Sequence, residues 1–190
     1  MDCTSGSILL DGKQVKTLTS KELSHSVGFV FQNPDHQIFE PSVEKEIAFG
    51  LSNRGFSRYQ IKTRVDETIE YIGLSAVRKH HLFTLGKGLR QMIAVASIVA
   101  LKPKILVVDE PTTGLDSSGR QKIMNIIEKL HSHGTAIVLI SHDMELVKTY
   151  ARRLVVLTHG KIILDENTEQ AFLEKQPLKN AGLLINESSF

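Results

Sequence analysis

The chain has 190 residues, 41% hydrophobic and 23% charged, with a formal net charge of +2. That balance fits one or two soluble globular domains and excludes a strong basic field for nucleic acid or an anionic membrane. With no Trp and 6% aromatic residues it offers no base-stacking platform, and a single cysteine, Cys3, rules out an internal disulfide and suits a reducing compartment. No apolar run approaches the roughly 18 residues of a membrane-spanning helix and no secretory signal opens the chain, so any membrane role is expected to come through a partner.

Ser7 to Asp11 followed by Gly12-Lys13 predicts a short strand and a tight turn. Val27 to Gln32 predicts a second apolar strand, closed by the turn signal Asn33-Pro34-Asp35. Gln32 thus stands at a strand end, where by itself it reads as a turn amide. Ser42 caps a predicted helix through about Leu51, with Glu44 and Glu46 favourable in its first turn. Ser57-Arg58-Tyr59-Gln60 has capping-box spacing, and Ile61, Val65, Ile69 and Ile72 form one stripe of the helix that follows. Residues 42–83 carry little strand signal and are expected to form a helical insert on a sheet domain. His80-His81 is adjacent in sequence, which is poor metal geometry on a helix.

Leu85 to Gln91 places Gly86 and Gly88 around Lys87, just before an Ala-rich helix to about Leu101. Backbone N–H groups at a helix start can hold an anion, although the pattern also suits a plain helix-entry turn. Ile105 to Asp116 reads Ile-Leu-Val-Val-Asp-Glu-Pro-Thr-Thr-Gly-Leu-Asp. Its continuous apolar run predicts a parallel-sheet strand buried on both faces, with Asp109 and Glu110 at the carboxyl end where such sheets bind ligands. Pro111 and Gly114 then turn the chain.

Asp116-Ser117-Ser118 opens a helix striped by Ile123, Ile126, Ile127 and Leu130, and Gly134 ends it. His131 and His133 are spaced wrongly for a shared metal. Thr135 to Ser141 predicts another buried strand, ending at His142-Asp143, where the histidine suits either phosphate contact or capping. Leu154–Leu157 and Ile162–Leu164 predict a hairpin, Thr168 to Lys175 a helix, and residues 176–190 a loosely structured tail.

The order and spacing of these segments resemble the ATP-binding subunit of an ABC transporter, over about Ser5 to Phe172. Gln32 matches the family's Q-loop. Leu85 to Gln91 falls where its signature Leu-Ser-Gly-Gly-Gln belongs. Ile105 to Glu110 resembles the Walker B strand, Gly114-Leu115-Asp116 the D-loop, and His142 the switch histidine. Phe29 to Phe39 and Val43 to Leu51 further resemble the energy-coupling factor (ECF) and cobalt-import type, which serves vitamins and transition-metal ions. The resemblance implies an α/β, P-loop NTPase-like fold with a mainly parallel sheet flanked by helices. It implies ATP and Mg²⁺ as ligands, with Asp109 and Gln32 toward Mg²⁺. Glu110 is then the general base, and Gln32 and His142 complete the catalytic set. Gly86, Lys87, Gly88 and Asp116 would face the nucleotide of an opposite subunit in a homo- or heterodimer. The insert and the surface near Gln32 would dock an integral membrane subunit at the cytoplasmic face of the membrane.

Two departures qualify this expectation. Gly-x-x-x-x-Gly-Lys-[Ser/Thr] occurs nowhere; each Gly-Lys, at 12–13, 86–87 and 160–161, lacks the following Ser or Thr. The first strand and phosphate-loop helix of the fold are therefore expected to be missing. That leaves residues 1–41 and 84–175 as an incomplete core with exposed apolar surface and an unpaired strand edge. The reading is a truncated chain, the alternative a variant that borrows the missing part from a partner. Gly86 and Leu89 also replace the usual Ser and Gln of the signature, which weakens the trans site and keeps open a degenerate partner that supplies only the signature face.

Overall fold

Asp11 and Gly12 carry positive φ angles of 49° and 78° and turn the chain back at once, as a two-residue hairpin requires. They join β1 (Leu9–Leu10) to β2 (Lys13–Gln14), so the expected first strand finds its neighbour immediately. The computed structural model describes residues 5–183; Cys3 and residues 184–190 lie outside them. A short α1 (Ser20–Ser26) follows, held by a capping box between Thr19 and Glu22 that the sequence reading passed over. It feeds directly into β3 (Val27–Val30).

Two helices come next, α2 (Val43–Asn53) and α3 (Arg58–Ile72), with no strand between Ser42 and Phe83. Ser42 occupies the α2 N-cap position, but its side chain makes no capping bond. The Ser57–Gln60 capping box on α3 is formed on both sides. Helix α4 (Lys87–Val99) is buried on most of its circumference, from Gln91 through Ser97, as its Ala-rich apolar sequence requires. Its C-terminal carbonyls are satisfied from α2 and α3: Arg54 donates to the Leu101 carbonyl at 2.9 Å and Arg64 to that of Ala100 at 3.2 Å. Cationic donors at a helix C-terminus also complement its dipole. Arg78 ties α2 to α3 through Glu44 at 2.7 Å and Asp66 at 2.6 Å.

The strands β3, β4 (Ile105–Asp109) and β5 (Ala136–Ile140) lie in that order in one sheet, with α5 (Ser117–Ser132) connecting the last two. β3 and β4 are parallel, in register from Val27↔Ile105 to Val30↔Val108. Gly28 lets α4 lie directly on this sheet: a Cβ there would stand 2.3 Å from Ile98 Cγ2. Leu106 and Val108 are fully buried, but the alternate residues Ile105 and Val107 are only partly covered, and Phe29, Phe31 and Val138 are exposed. The expectation of β4 and β5 buried on both faces is therefore corrected. Helix α4 covers one face of the β3–β4 pair, and among the described residues the other remains an apolar surface.

The chain forms two compact units, dividing after Val138. The second holds α6 (Met144–Tyr150), the antiparallel hairpin β6 (Arg153–Thr158) and β7 (Lys161–Asn167), α7 (Thr168–Leu173) and α8 (Lys175–Asn180). Its core is Met144, Val147, Leu154, Val156, Leu164, Ala171 and Leu178. The loosely structured tail expected from residue 176 is corrected here. Residues 176–180 continue α8, because fully buried Leu178 anchors it and Pro177 lies in the first turn, where no N–H is needed. No helix among the described residues is long and apolar enough to cross a membrane.

Candidate functional site

The site is assembled on the carboxyl edge of the β3–β4 pair. Because Val30 stands beside Val108, Asp109 lies level with Phe31, and Gln32 is one residue farther along. The parallel register thus brings the Gln32 and Asp109 strand ends to one edge. Gln32 is exposed and Asp109 half-buried. A carboxylate and an amide are both hard oxygen donors and fit Mg²⁺, which takes one or two protein ligands and completes its shell with water and phosphate. Among the described residues no group of three or more His, Cys, Asp or Glu could hold a metal by itself.

Glu110 leaves the strand in the left-handed region, with φ at 43°. The turn that follows holds it twice. The Thr113 N–H donates to the Glu110 carbonyl at 3.2 Å, and the Thr113 hydroxyl donates to Glu110 Oε2 at 3.3 Å. Gly114, with φ at 74°, completes the reversal, and Asp116 caps α5 by accepting from the Gly119 N–H at 2.8 Å.

Gly86 is the N-cap of α4 and Lys87 its first residue, so Gly88 lies inside the helix rather than before it. The first turn contains no acidic residue and no side chain caps it, which leaves its N–H groups available to an anion. Lys87 reaches across Gly114: a Cβ there would be 2.9 Å from Lys87 Nζ. A Cβ at Gly88 would likewise touch Leu115 at 3.5 Å. Residues 86–88 and 114–116 therefore form one patch. His142 belongs to the second unit; it is exposed, follows β5, and precedes Asp143, which caps α6 by accepting from the Leu146 N–H.

Several residues that sequence reasoning missed shape this site. Arg90 on α4 grips Asp35 through two nitrogens, at 2.7 and 3.2 Å, and also donates to the Leu85 carbonyl. Gln37 and Gln91 reach the backbone of Phe31. Glu46 is buried, and its Oε2 accepts the N–H groups of both Phe39 and Glu40 at 2.9 Å. Burial pushes the Glu46 carboxyl above its ordinary pKa, the two N–H donors oppose this, and the nearby Glu40 charge adds to it. Asp35 and Arg90 are 55 positions apart, and no local pattern announces such a pair.

Comparison with known proteins gives the family. Residues 1–113 match the ABC transporter family. The chain is 48% identical over 180 residues to an ABC transporter ATP-binding protein of Methanosarcina acetivorans, covering 95% of this chain and 29% of that one. It is 39% identical over 189 residues to the energy-coupling factor transporter ATP-binding protein EcfA2 of Acetivibrio thermocellus, covering 98% of this chain and 67% of that one. The solved structure of cbiO1 from Clostridium perfringens, part of the ABC transporter complex cbiONQ, superposes with a TM-score of 0.79 at 32% identity, over 96% of this chain and 74% of that one. The chain thus spans less than a third of its Methanosarcina relative and two thirds of the EcfA2 protein. On these matches, this chain belongs to the ABC transporter ATP-binding family.

Proposed function

We propose that this chain serves an ABC-type membrane importer of vitamins or metal ions as an ATP-binding and ATP-hydrolysing subunit, and that it acts only in a dimer docked on an integral membrane partner. The observation that carries the reading is the carboxyl edge where Gln32 and Asp109 share one rim, with Glu110 turned out of β4. Phosphoryl transfer asks the protein for positioning and charge stabilisation rather than covalent chemistry. In this reading Asp109 and Gln32 offer oxygens to Mg²⁺, which when bound neutralises phosphate charge. Glu110 accepts the proton of the attacking water. His142 donates to the γ-phosphate. The N–H groups at Gly86–Gly88 and the Lys87 ammonium face the γ-phosphate held by the opposite subunit, and Asp116 borders that contact. The similarity to EcfA2 and cbiO1 supports the importer class and its membrane docking through the helical insert at 42–83, and residues 1–41 and 84–175 act as an incomplete ATPase core.

A second reading is a degenerate partner that supplies only the signature face. The Gly86 and Leu89 replacements keep it open. One set of assays separates the two. The purified 190-residue chain is expected to bind ATP weakly and to hydrolyse none; measurable Mg-ATP turnover by it refutes dependence on partners. In the assembled transporter, Glu110→Gln is expected to abolish the turnover assigned to this subunit. Unchanged hydrolysis in that variant, with uptake intact, selects the degenerate partner.

A further inference from the structure

Gln32 is exposed beyond the end of β3, where the sheet ladder has stopped at Val30. Strand pairing therefore cannot fix it. The groups just ahead of it are fixed from elsewhere. Gln37 accepts the Phe31 N–H on Oε1 at 3.1 Å and, with its other end, donates from Nε2 to the Ala94 carbonyl at 2.9 Å, with Ser97 Oγ at 3.5 Å. The Phe31 carbonyl, which forms the peptide bond to Gln32, lies 3.5 Å from Nε2 of buried Gln91. The N–H and the carbonyl of Phe31 are thus each met by a side-chain amide, one from Gln37 in the turn after β3, itself bonded to α4, and one from Gln91 on α4. Downstream, Asp35 is held to the same helix by Arg90.

We infer that Gln37 is a positioning residue for Gln32: a two-ended amide that makes the backbone entering Gln32 move with α4, the helix that begins at Gly86–Gly88. The inference rests on the proposal that Gln32 serves the nucleotide. Only a side chain with an acceptor and a donor at this reach does both jobs. Leu offers neither bond. Glu keeps the acceptor for Phe31 but loses the donor to Ala94. Asn is one methylene short of spanning from the turn to α4.

The test uses the assembled transporter, with ATP hydrolysis measured for the wild type, Gln32→Ala, Gln37→Leu, Gln37→Glu and the double variant Gln32→Ala/Gln37→Leu. Gln37→Leu is expected to lower kcat about tenfold, as a misplaced group does, with KM for ATP unchanged. Gln37→Glu is expected to fall between it and the wild type. In the Gln32→Ala background, Gln37→Leu is expected to cause no further loss, because it acts through Gln32. In the purified chain, the Phe31 amide is expected to exchange its hydrogen about tenfold faster in Gln37→Leu, because that bond is its protection. A full-rate Gln37→Leu, an additive loss in the double variant, or unchanged Phe31 exchange overturns the inference and leaves the role of Gln32 standing. A full-rate Gln32→Ala, or a wild-type assembly that hydrolyses no ATP, overturns that role and the inference with it.

Discussion

The sharpest test of the architecture is Gly28→Ala. Gly28 has no positive φ, so its backbone accepts an alanine; the obstacle is Ile98 on α4. The added Cβ would lie 2.3 Å from Ile98 Cγ2 and 3.1 Å from Pro103 Cγ, against roughly 3.5–4.0 Å for two carbons in contact. Relieving more than an ångström of overlap requires Ile98 to leave its rotamer or α4 to back away from the sheet. Overpacking of this kind costs about 1–3 kcal/mol, and replacing glycine inside a strand returns about 0.5–1 kcal/mol. A net loss of about 1 kcal/mol, and of at most about 2.5 kcal/mol, follows. Ile98→Ala removes the clashing methyl, so the double variant is expected to be about 2 kcal/mol more stable than the sum of the singles. Urea unfolding of the four chains, followed by helical circular dichroism, gives the cycle. Additivity within about 0.5 kcal/mol would show that α4 does not sit on the sheet at Gly28.

Gly114→Ala forces a side chain into φ of 74° and is expected to destabilise by about 1–2 kcal/mol. The Lys87 contact adds little, since its Nζ is the free end of a flexible chain, so equal losses are expected in the Lys87→Ala background. For Glu46→Gln, the amide oxygen can still accept from Phe39 and Glu40. The wild-type carboxyl has its pKa raised on folding, so the native state binds more protons than the unfolded one and loses stability as pH rises from the unfolded carboxylate pKa through the folded one. Thermal melts are expected to show the wild type falling progressively below the Gln variant across that window; parallel curves would remove the burial effect. Thr113→Val deletes the hydroxyl at 3.3 Å from Glu110. In the assembled transporter kcat is expected to fall about tenfold while Thr113→Ser retains most of it; equal rates for Val and Ser would leave the hydroxyl without a role.

Local chemistry made much of this fold legible. The Ser57 capping box, the Gly134 stop, the Asp116 helix start and the His159–Gly160 hairpin, with φ of 49° and 74°, each follow from a few neighbouring residues. The carboxylates at the end of β4 were readable for the same reason. What was not readable depends on residues far apart in sequence. The uncovered face of β4 and β5 has the same apolar composition as a covered one, and only the arrangement of helices distinguishes them. Helix α1 carried a local signal, Thr19 and Glu22, hidden by its shortness. Helix α8 was masked by Pro177 and depends on Leu178 reaching the hairpin core. Gln37 and Arg90 look like ordinary surface polar residues until α4 is placed beside the loop they hold.

The backbone at Glu110 bears on whether the catalytic or the degenerate reading is preferable. Among the described residues, four that are not glycine have positive φ: Asp11, Lys102, Glu110 and His159. Asp11 and His159 lie in tight two-residue hairpin turns, which ask for that geometry. Lys102 ends the last turn of α4, where its N–H bonds the Val99 carbonyl, a common left-handed stop. Glu110 is different. It sits at a strand exit, followed by a proline that fixes the next residue, and glycine or asparagine would hold that conformation with less strain. A carboxylate is kept there at a cost of about 1 kcal/mol, with Thr113 bonding its side chain. The Gly86–Gly88 patch is reached by Gly114 and Leu115 of the turn that follows Glu110. The strain therefore favours the proposal in which Glu110 works on water.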